Sequence, residues 1–592
     1  MENPSFERDT NSEDPSSLER SGNISVEVHK PDIISRSVEK FWSIVEGFFK
    51  THKKLVSVTS LVTLAVLVVA YFITAILYHT RNRCTSEVSC DLEWCHGHGF
   101  LIILMVFTCT GLFYFHILKR FFGRVLYKNV LRHISTSFDH IWQKRLVRIA
   151  LYLILPATLI AYLVWDTSND RERLKSMMGV IVFMLLGFLF SKHPGKIQWR
   201  PVVWGLVLQF LFGLISIRWS TGRQIFQCIG DKFTTFLSYT DAGTNFMYGN
   251  FLSDQGIFAF KVLPVIFFFS LVVQVLYYWG TMQWIVLKLG WLLQVSMGTT
   301  VCESVNAAAS VFLGLSEAPL LIKPYISDLT KSELHAVMCA GFSTVAGTVL
   351  AAYISFGVKA SHVITASIMS APAALCYAKL FYPETEKSQT RVENMTLKKG
   401  DETGVLDAAT KGAMAGTALV LGITANIIAF VAAVEFLDGI ISWLAHLVGS
   451  HEIDFKKLLS LLFIPVVWLM GVHPEECENV AELVGLKTVV NEFVAYQRLG
   501  DMKKNGTLSE RSETIATYAL CGFSNPGSIG ILIASLSTMA PHRRSDITQV
   551  AVRAFIAGCA VCFLTASIAG LLTTEENSTD NLSLNATSTM KH

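Results

Sequence analysis

Apolar residues run along this chain in long blocks separated by short polar stretches. Leu55 to Tyr78 carries no charge, and about 20 apolar residues suffice for a helix to cross a bilayer. Many similar blocks follow. The expected spans are 55–79, 100–117, 146–166, 176–190, 201–217, 257–280, 335–357, 361–381, 412–437, 512–538 and 551–572. Residues 1–54 are polar and rich in Ser, Glu and Asp, without the apolar core of an export signal, and are expected to be a disordered cytosolic tail. The fold class expected is an all-α polytopic membrane protein with about 11 transmembrane helices.

Two further stretches, roughly 283–325 and 455–500, are apolar but broken by Gly, Pro or acids: Glu303, Gly314, Glu317 and Pro319 in the first, Pro465, Gly471, Pro474 and Glu492 in the second. Re-entrant hairpins explain them, because non-helical backbone at membrane depth is tolerated when buried in protein or lining a wet cavity.

Each hairpin is followed by the same order of motifs. Ser316-Glu317, then Lys331-Ser332-Glu333, then Gly341-Phe342-Ser343 stand in the first half; Asn491-Glu492, then Arg511-Ser512-Glu513, then Gly522-Phe523-Ser524 stand in the second. The first hairpin should enter from the cytosol and the second from outside, so the repeats are inverted. Secondary transporters have this construction and place substrate near the midplane, between the repeats. Glu317 and Glu492 occupy matching places. A carboxylate at membrane depth costs at least ~2.5 kcal/mol and marks a pathway or binding site by default. The pair either accepts hydrogen bonds from a neutral, hydroxyl-rich ligand or caps the hairpin turns. Asn525 and Ser528 lie at a break that Pro526 and Gly527 create. They either donate to a ligand or satisfy freed backbone groups.

Charge gives orientation. The 117–148 segment holds eight Lys and Arg against one acid, Asp139, a cytosolic signal. Lys50, Lys53 and Lys54 before the first span, Lys192, Lys196 and Arg200, and Arg543 with Arg544 agree with a cytosolic N-terminus. The exception is 498–511, with Arg498, Lys503, Lys504 and Arg511 on the side expected to be outside. Eleven spans put the C-terminus outside. Three N-x-[ST] sequons there, at Asn577, Asn581 and Asn585, are candidate glycosylation sites.

Composition agrees with the pattern. Of 592 residues 52% are hydrophobic and 16% charged, against about a quarter charged in soluble domains; the mean hydropathy is +0.45. A net charge of +3 gives no reason to invoke nucleic acid. There is no Walker A motif and no H-E-x-x-H, and no catalytic constellation points to an enzyme. Cys84, Cys90, Cys95, His96 and His98 cluster in the first outside loop, as zinc ligands or as cysteines that form a disulfide.

Gly314-Leu315-Ser316-Glu317-Ala318-Pro319-Leu320-Leu321, Asn491-Glu492-Phe493-Val494-Ala495-Tyr496 and Ala519-Leu520-Cys521-Gly522-Phe523-Ser524-Asn525 resemble the signature segments of the concentrative nucleoside transporters, solute carrier family 28. Trp199-Arg200-Pro201-Val202, Tyr239-Thr240-Asp241-Ala242-Gly243 and Phe260-Lys261-Val262-Leu263-Pro264 extend the resemblance over about 140–572. It implies a plasma-membrane homotrimer with scaffold and transport domains that imports nucleosides with sodium, and in some members with protons. The divisions expected are a tail (1–54), three N-terminal helices (55–166), scaffold helices (167–282), a first transport repeat of hairpin and broken helix (283–360), scaffold helices with a cytosolic loop near 383–411 (361–454), a second transport repeat of hairpin and broken helix (455–540), a last span (551–572) and an extracellular glycosylated tail (573–592).

Carried over by position, the resemblance gives Leu315, Ser316, Glu317 and Val349 to the base, and Glu492, Asn525 and Ser528 to the ribose, with Phe523 as an aromatic beside the ligand. Sodium falls to Ser310, Leu313, Thr344 and Val345. Two departures matter. The family has Gly-Asn where this chain has Ala309-Ser310, so the oxygen offered to sodium has shorter reach. The alternative it raises is a sodium-independent nucleoside channel or receptor-like protein. Leu315 replaces the Gln of broad or pyrimidine-selective members, and Gly314-Leu315 stands nearest the Gly-Met pair of purine-selective ones. A purine preference is therefore expected.

Overall fold

The computed structural model describes residues 33–83, 94, 95, 97–114, 154, 157, 158, 161–168, 170–254, 257–389, 402–450 and 454–574. The chain forms two units, Met1–Thr136 and Ser137–His592. Every regular element among the described residues is helical.

The first unit contains α1 (Ile33–Thr51), α2 (Lys53–Arg83) and α3 (Gly97–Leu112). The α1 helix corrects the expectation of a disordered tail over Ile33–Thr51; residues 1–32 of that tail lie outside the described residues. Ile34, Val38, Phe41, Trp42 and Val45 recur at helical spacing and give it one apolar face. Cys95 is disulfide-bonded, whereas Cys84, Cys90 and His96 lie outside the described residues. No group of three or more His, Cys, Asp and Glu able to hold a metal occurs among the described residues.

The second unit is built from α4 (Leu174–Leu189), α5 (Trp199–Gly213), α6 (Ser220–Ser238), α7 (Thr240–Asp254), α8 (Phe258–Lys261), α9 (Leu263–Tyr278), α10 (Thr281–Met297), α11 (Val301–Ala309), a 3-10 stretch (Ala318–Asp328), α12 (Lys331–Ser343), α13 (Gly347–Ser355), α14 (Ala360–Phe381), α15 (Val405–Leu447), α16 (Phe455–Met470), α17 (Cys477–Val489), α18 (Glu492–Lys504), α19 (Glu510–Leu520), α20 (Pro526–Met539) and α21 (Arg544–Leu572).

Two of the expected spans are each two helices, the second broken where Pro526 and Gly527 predict it. The 335–357 span breaks between α12 and α13, where Thr344 and Ala346 are extended. The 512–538 span breaks between α19 and α20, where Asn525 is extended and Pro526 opens the next helix. Proline has no N–H to lose at that position. The stretches 283–325 and 455–500 each contain a separate helix besides a hairpin: α10, stopped by Gly298 in the left-handed region, and α16, stopped likewise by Gly471. The hairpin arms proper are α11 with Ala318–Asp328, and α17 with α18. The repeated Ser-Glu motif is helix-start chemistry: Thr330 and Glu333 form a capping box on α12, and Ser509 caps α19.

Side-chain bonds mark the two ends of the bundle. At one end Ser191 donates to the carbonyl of Leu380, Lys331 pairs with Asp546 and Arg543 donates to the carbonyls of Ser327 and Leu329. At the other, Arg173 donates to the carbonyl of Leu571, Arg218 pairs with Asp166 and Arg511 donates to the carbonyls of Gly471 and Thr573. The first hairpin opens at the first end, where Glu303 pairs with Lys379. The second opens at the other end, where Glu476 accepts from Ser509 and Lys503 donates to the carbonyl of Gly357. The hairpins therefore enter from opposite ends. The basic residues of 498–511 that ran against the charge pattern are spoken for within the fold: Arg498 pairs with Glu482 and Lys503 with Glu513.

Candidate functional site

Both hairpins stop inside the bundle, and their turns meet the breaks of the two interrupted helices. Glu492 is the first residue of α18 and is 2% exposed. One carboxylate oxygen accepts from Asn525 Nδ2 at 3.0 Å and the other from the Tyr353 hydroxyl at 3.4 Å. Asn525 in turn accepts from the backbone N–H of Ser528 at 2.9 Å, which caps α20. Of the alternatives posed by sequence, the structure shows the second for Asn525, which satisfies a freed backbone N–H; it also orients the Glu492 carboxylate. Glu317, half-buried, accepts from the backbone N–H of Gly314 at 3.2 Å. That bond closes the first hairpin turn through one oxygen, and the second oxygen stays available.

One cavity lies against both groups. Leu315, Ser316, Glu317, Val349, Glu492, Phe523, Asn525 and Ser528, the eight residues expected at the substrate, all line it. Its remaining wall includes Leu419, Ile423, Asn426, Ile427 and Phe430 of α15. These were not found from sequence, because an uninterrupted apolar span carries no motif. Tyr353 was missed for the same reason. It stacks on Tyr496, with ring centroids 4.4 Å apart, and the Tyr496 hydroxyl donates to the carbonyl of Thr517 at 2.8 Å. Two aromatic rings thereby fix the hydroxyl that reaches Glu492. The cavity is apolar along most of its wall and polar at a few fixed points, the make-up of a small-molecule site.

Ser310, Leu313, Thr344 and Val345 are all buried and sit beside this cavity, outside its lining. Ser310 closes α11, and its hydroxyl donates to the carbonyl of Asn306 at 2.9 Å. Thr344 and Val345 form the break after α12, and the Thr344 hydroxyl donates to the carbonyl of Ala340 at 2.8 Å. The Gly347 N–H donates to the carbonyl of Phe312 at 3.0 Å, so the hairpin turn and the break are held together. Both hydroxyls give their protons to protein carbonyls, which leaves oxygen lone pairs to face a cation. Asn577, Asn581 and Asn585 lie outside the described residues.

Comparison with known proteins places the chain. Family models match in succession: the N-terminal domain of Na+ dependent nucleoside transporters over 178–251, a nucleoside recognition gate over 259–360 and the C-terminal transporter domain over 362–570. Solute carrier family 28 member 3 of Eptatretus stoutii is 41% identical over 560 residues, 91% of this chain and 78% of that protein. The chain belongs to the Na+ dependent nucleoside transporter family, solute carrier family 28. Sodium/nucleoside cotransporter 2 of Mus musculus is 40% identical over 553 residues, 91% of this chain and 80% of that protein. Among solved structures, CNTnw in an inward-facing substrate-bound state is similar with a TM-score of 0.64 and 37% identity, covering 68% of this chain and 97% of that one. The cavity lies between segments from the two larger family domains: Leu315 to Glu317 and Val349 fall in the recognition gate, and Glu492 to Ser528 in the C-terminal domain.

Proposed function

We propose that this chain imports nucleosides across the plasma membrane by symport with sodium. The observation that carries this reading is the convergence of two carboxylates, Glu317 and Glu492, from hairpins of opposite entry on one largely apolar cavity. Carboxylates accept hydrogen bonds from ribose hydroxyls and ring N–H groups, and an apolar wall suits the faces of a base. The base lies against Leu315, Ser316, Glu317 and Val349, the ribose against Glu492, Asn525 and Ser528, with Phe523 beside it. Sodium is held by oxygens of Ser310, Leu313, Thr344 and Val345, the unwound backbone that transporters use for coupling ions. Leu315, which neither donates nor accepts, favours purines.

The N-terminus is cytosolic and the C-terminus extracellular in this reading. Cys95 and Cys228 each take part in a disulfide, and each lies on a segment read as extracellular, where disulfides persist. The protein works as a homotrimer, glycosylated on its C-terminal tail, with the hairpins and broken helices as the moving part. The test is uptake of labelled adenosine, uridine and thymidine in sodium and in choline buffer. Uptake that is equal in both buffers contradicts the reading. It would favour the sodium-independent channel or receptor-like alternative, which the shorter arm of Ser310 also suggests.

A further inference from the structure

The two repeats fasten hairpin to broken helix in the same manner but with different charge. In the first, Asn306 on α11 donates Nδ2 to the carbonyl of Val337 on α12 at 3.2 Å. In the second, Lys487 on α17 donates Nζ to the carbonyl of Ala519 on α19 at 3.1 Å. Each donor stands in the last turn of the first arm of its hairpin. Each acceptor stands a few residues before the repeated Gly-Phe-Ser, at Gly341 and Gly522. The bonds are structural counterparts.

Their acceptors differ. Val337 lies in the middle of α12, whereas Ala519 lies in the last turn of α19. A continuing helix would cover the Ala519 carbonyl with the N–H of Phe523, but that N–H donates to the carbonyl of Thr344 instead. Lys487 thus covers an orphan carbonyl at the negative end of a half-helix. Its side chain is fully buried, and it forms no ion pair among the described residues. A buried ammonium is costly unless its charge is used. The α19 terminus receives that charge directly, and the Glu492 carboxylate, five positions on in the same hairpin, feels it electrostatically.

We propose that Lys487 is a tethered cation. It supplies the second repeat with the positive charge that a bound sodium supplies to the first, so the second hairpin holds its place without an ion. The inference rests on the reading of Ser310, Leu313, Thr344 and Val345 as the sodium site. In that repeat the counterpart of Lys487 is the neutral Asn306, and the charge has to come from solution. Lys487 is a positioning residue: it acts on substrate through the placement of Glu492.

The test is the sodium dependence of uptake by the full-length protein, normalised to surface abundance, for wild type, Lys487→Met and Lys487→Arg. Loss of a charged hydrogen bond should lower Lys487→Met uptake about tenfold or more at the wild type's half-saturating sodium. High sodium should restore it with a Hill coefficient raised by about one, because a second ion must now fill the place. Lys487→Arg should keep the wild-type Hill coefficient. A Met variant with the wild-type sodium curve overturns the proposal, and so does a loss that no sodium concentration restores. If Lys487→Met does not reach the surface, Asn306→Lys decides. It should transport with weakened sodium dependence, and an unchanged dependence overturns the proposal. Sodium-independent uptake by wild type would instead defeat the sodium-site reading on which the proposal rests.

Discussion

Phe523 donates its backbone N–H to the carbonyl oxygen of Thr344 at 3.3 Å, a bond that joins the breaks of two helices from opposite halves of the chain. Thr344 belongs to the segment read as the sodium site and Phe523 lines the substrate cavity. An ion that fixes the α12 break therefore also fixes the aromatic ring beside the ligand. The two sites should be linked, and linkage is reciprocal. Sodium should tighten nucleoside binding to the purified protein by about 5- to 150-fold, and nucleoside should tighten sodium binding by the same factor. Calorimetric titration of each ligand with and without the other checks this; independent affinities would mean that the bond transmits nothing.

Glu492 receives two hydrogen bonds, from Asn525 and Tyr353, which aim it at the cavity. Glu492→Gln keeps the shape and removes the charge. A hydrogen bond to a charged group contributes about 1.5–3 kcal/mol, so the apparent affinity for nucleoside should fall by about one to two orders of magnitude at unchanged surface abundance. Uptake kinetics of the variant measure it. Normal transport would remove Glu492 from the site.

Leu315 is buried beside Gly341, where a Cβ would lie 3.3 Å from the Leu315 Cβ. Gly314 offers no side chain to the cavity. The polar edge of a pyrimidine set against Leu315 goes unpaired, which costs about 1–3 kcal/mol, roughly a 5- to 150-fold preference for purines. Leu315→Gln should raise competition by uridine and cytidine relative to adenosine and inosine. Equal competition by all four in wild type, unchanged in the variant, would end this assignment.

What the sequence disclosed follows from where its signals are strong. Breaks inside apolar blocks announce themselves through Gly, Pro and acids, so both hairpins, Glu317, Glu492 and the Asn525 cap were legible. The break at Thr344 had no mark in the residues themselves: no proline stands there, and the apolar run from Leu334 to Ile354 reads as one span, so only the family resemblance implied a broken helix in that repeat. Tyr353 and the α15 wall were invisible for a related reason, because a polar tip or a lining position on an apolar helix has no local signature. The α1 helix was lost in a polar tail, since its apolar face shows only when residues are read at helical spacing. The order of Gly-Phe-Ser motifs was legible, but its cause was not. A Cβ at Gly522 would sit 2.8 Å from the carbonyl oxygen of Phe342, so the glycine is there to let the two breaks touch.

Ser310 offers its oxygen from a short side chain that donates to the carbonyl of Asn306. An amide arm reaches further, and sodium takes oxygen ligands. One added ion–dipole contact weighs at least as much as a neutral hydrogen bond, about 0.5–1.5 kcal/mol. Half-saturating sodium should therefore fall about two- to tenfold in Ser310→Asn. An unchanged value would mean that this position does not reach the ion.

The most direct measurement uses purified full-length protein in proteoliposomes loaded with sodium-free buffer. After an inward sodium gradient is imposed, labelled adenosine inside should rise above its outside concentration and return to equality when the gradient is collapsed with a sodium ionophore. Accumulation that stops at equality, with or without the gradient, would contradict sodium-coupled nucleoside import.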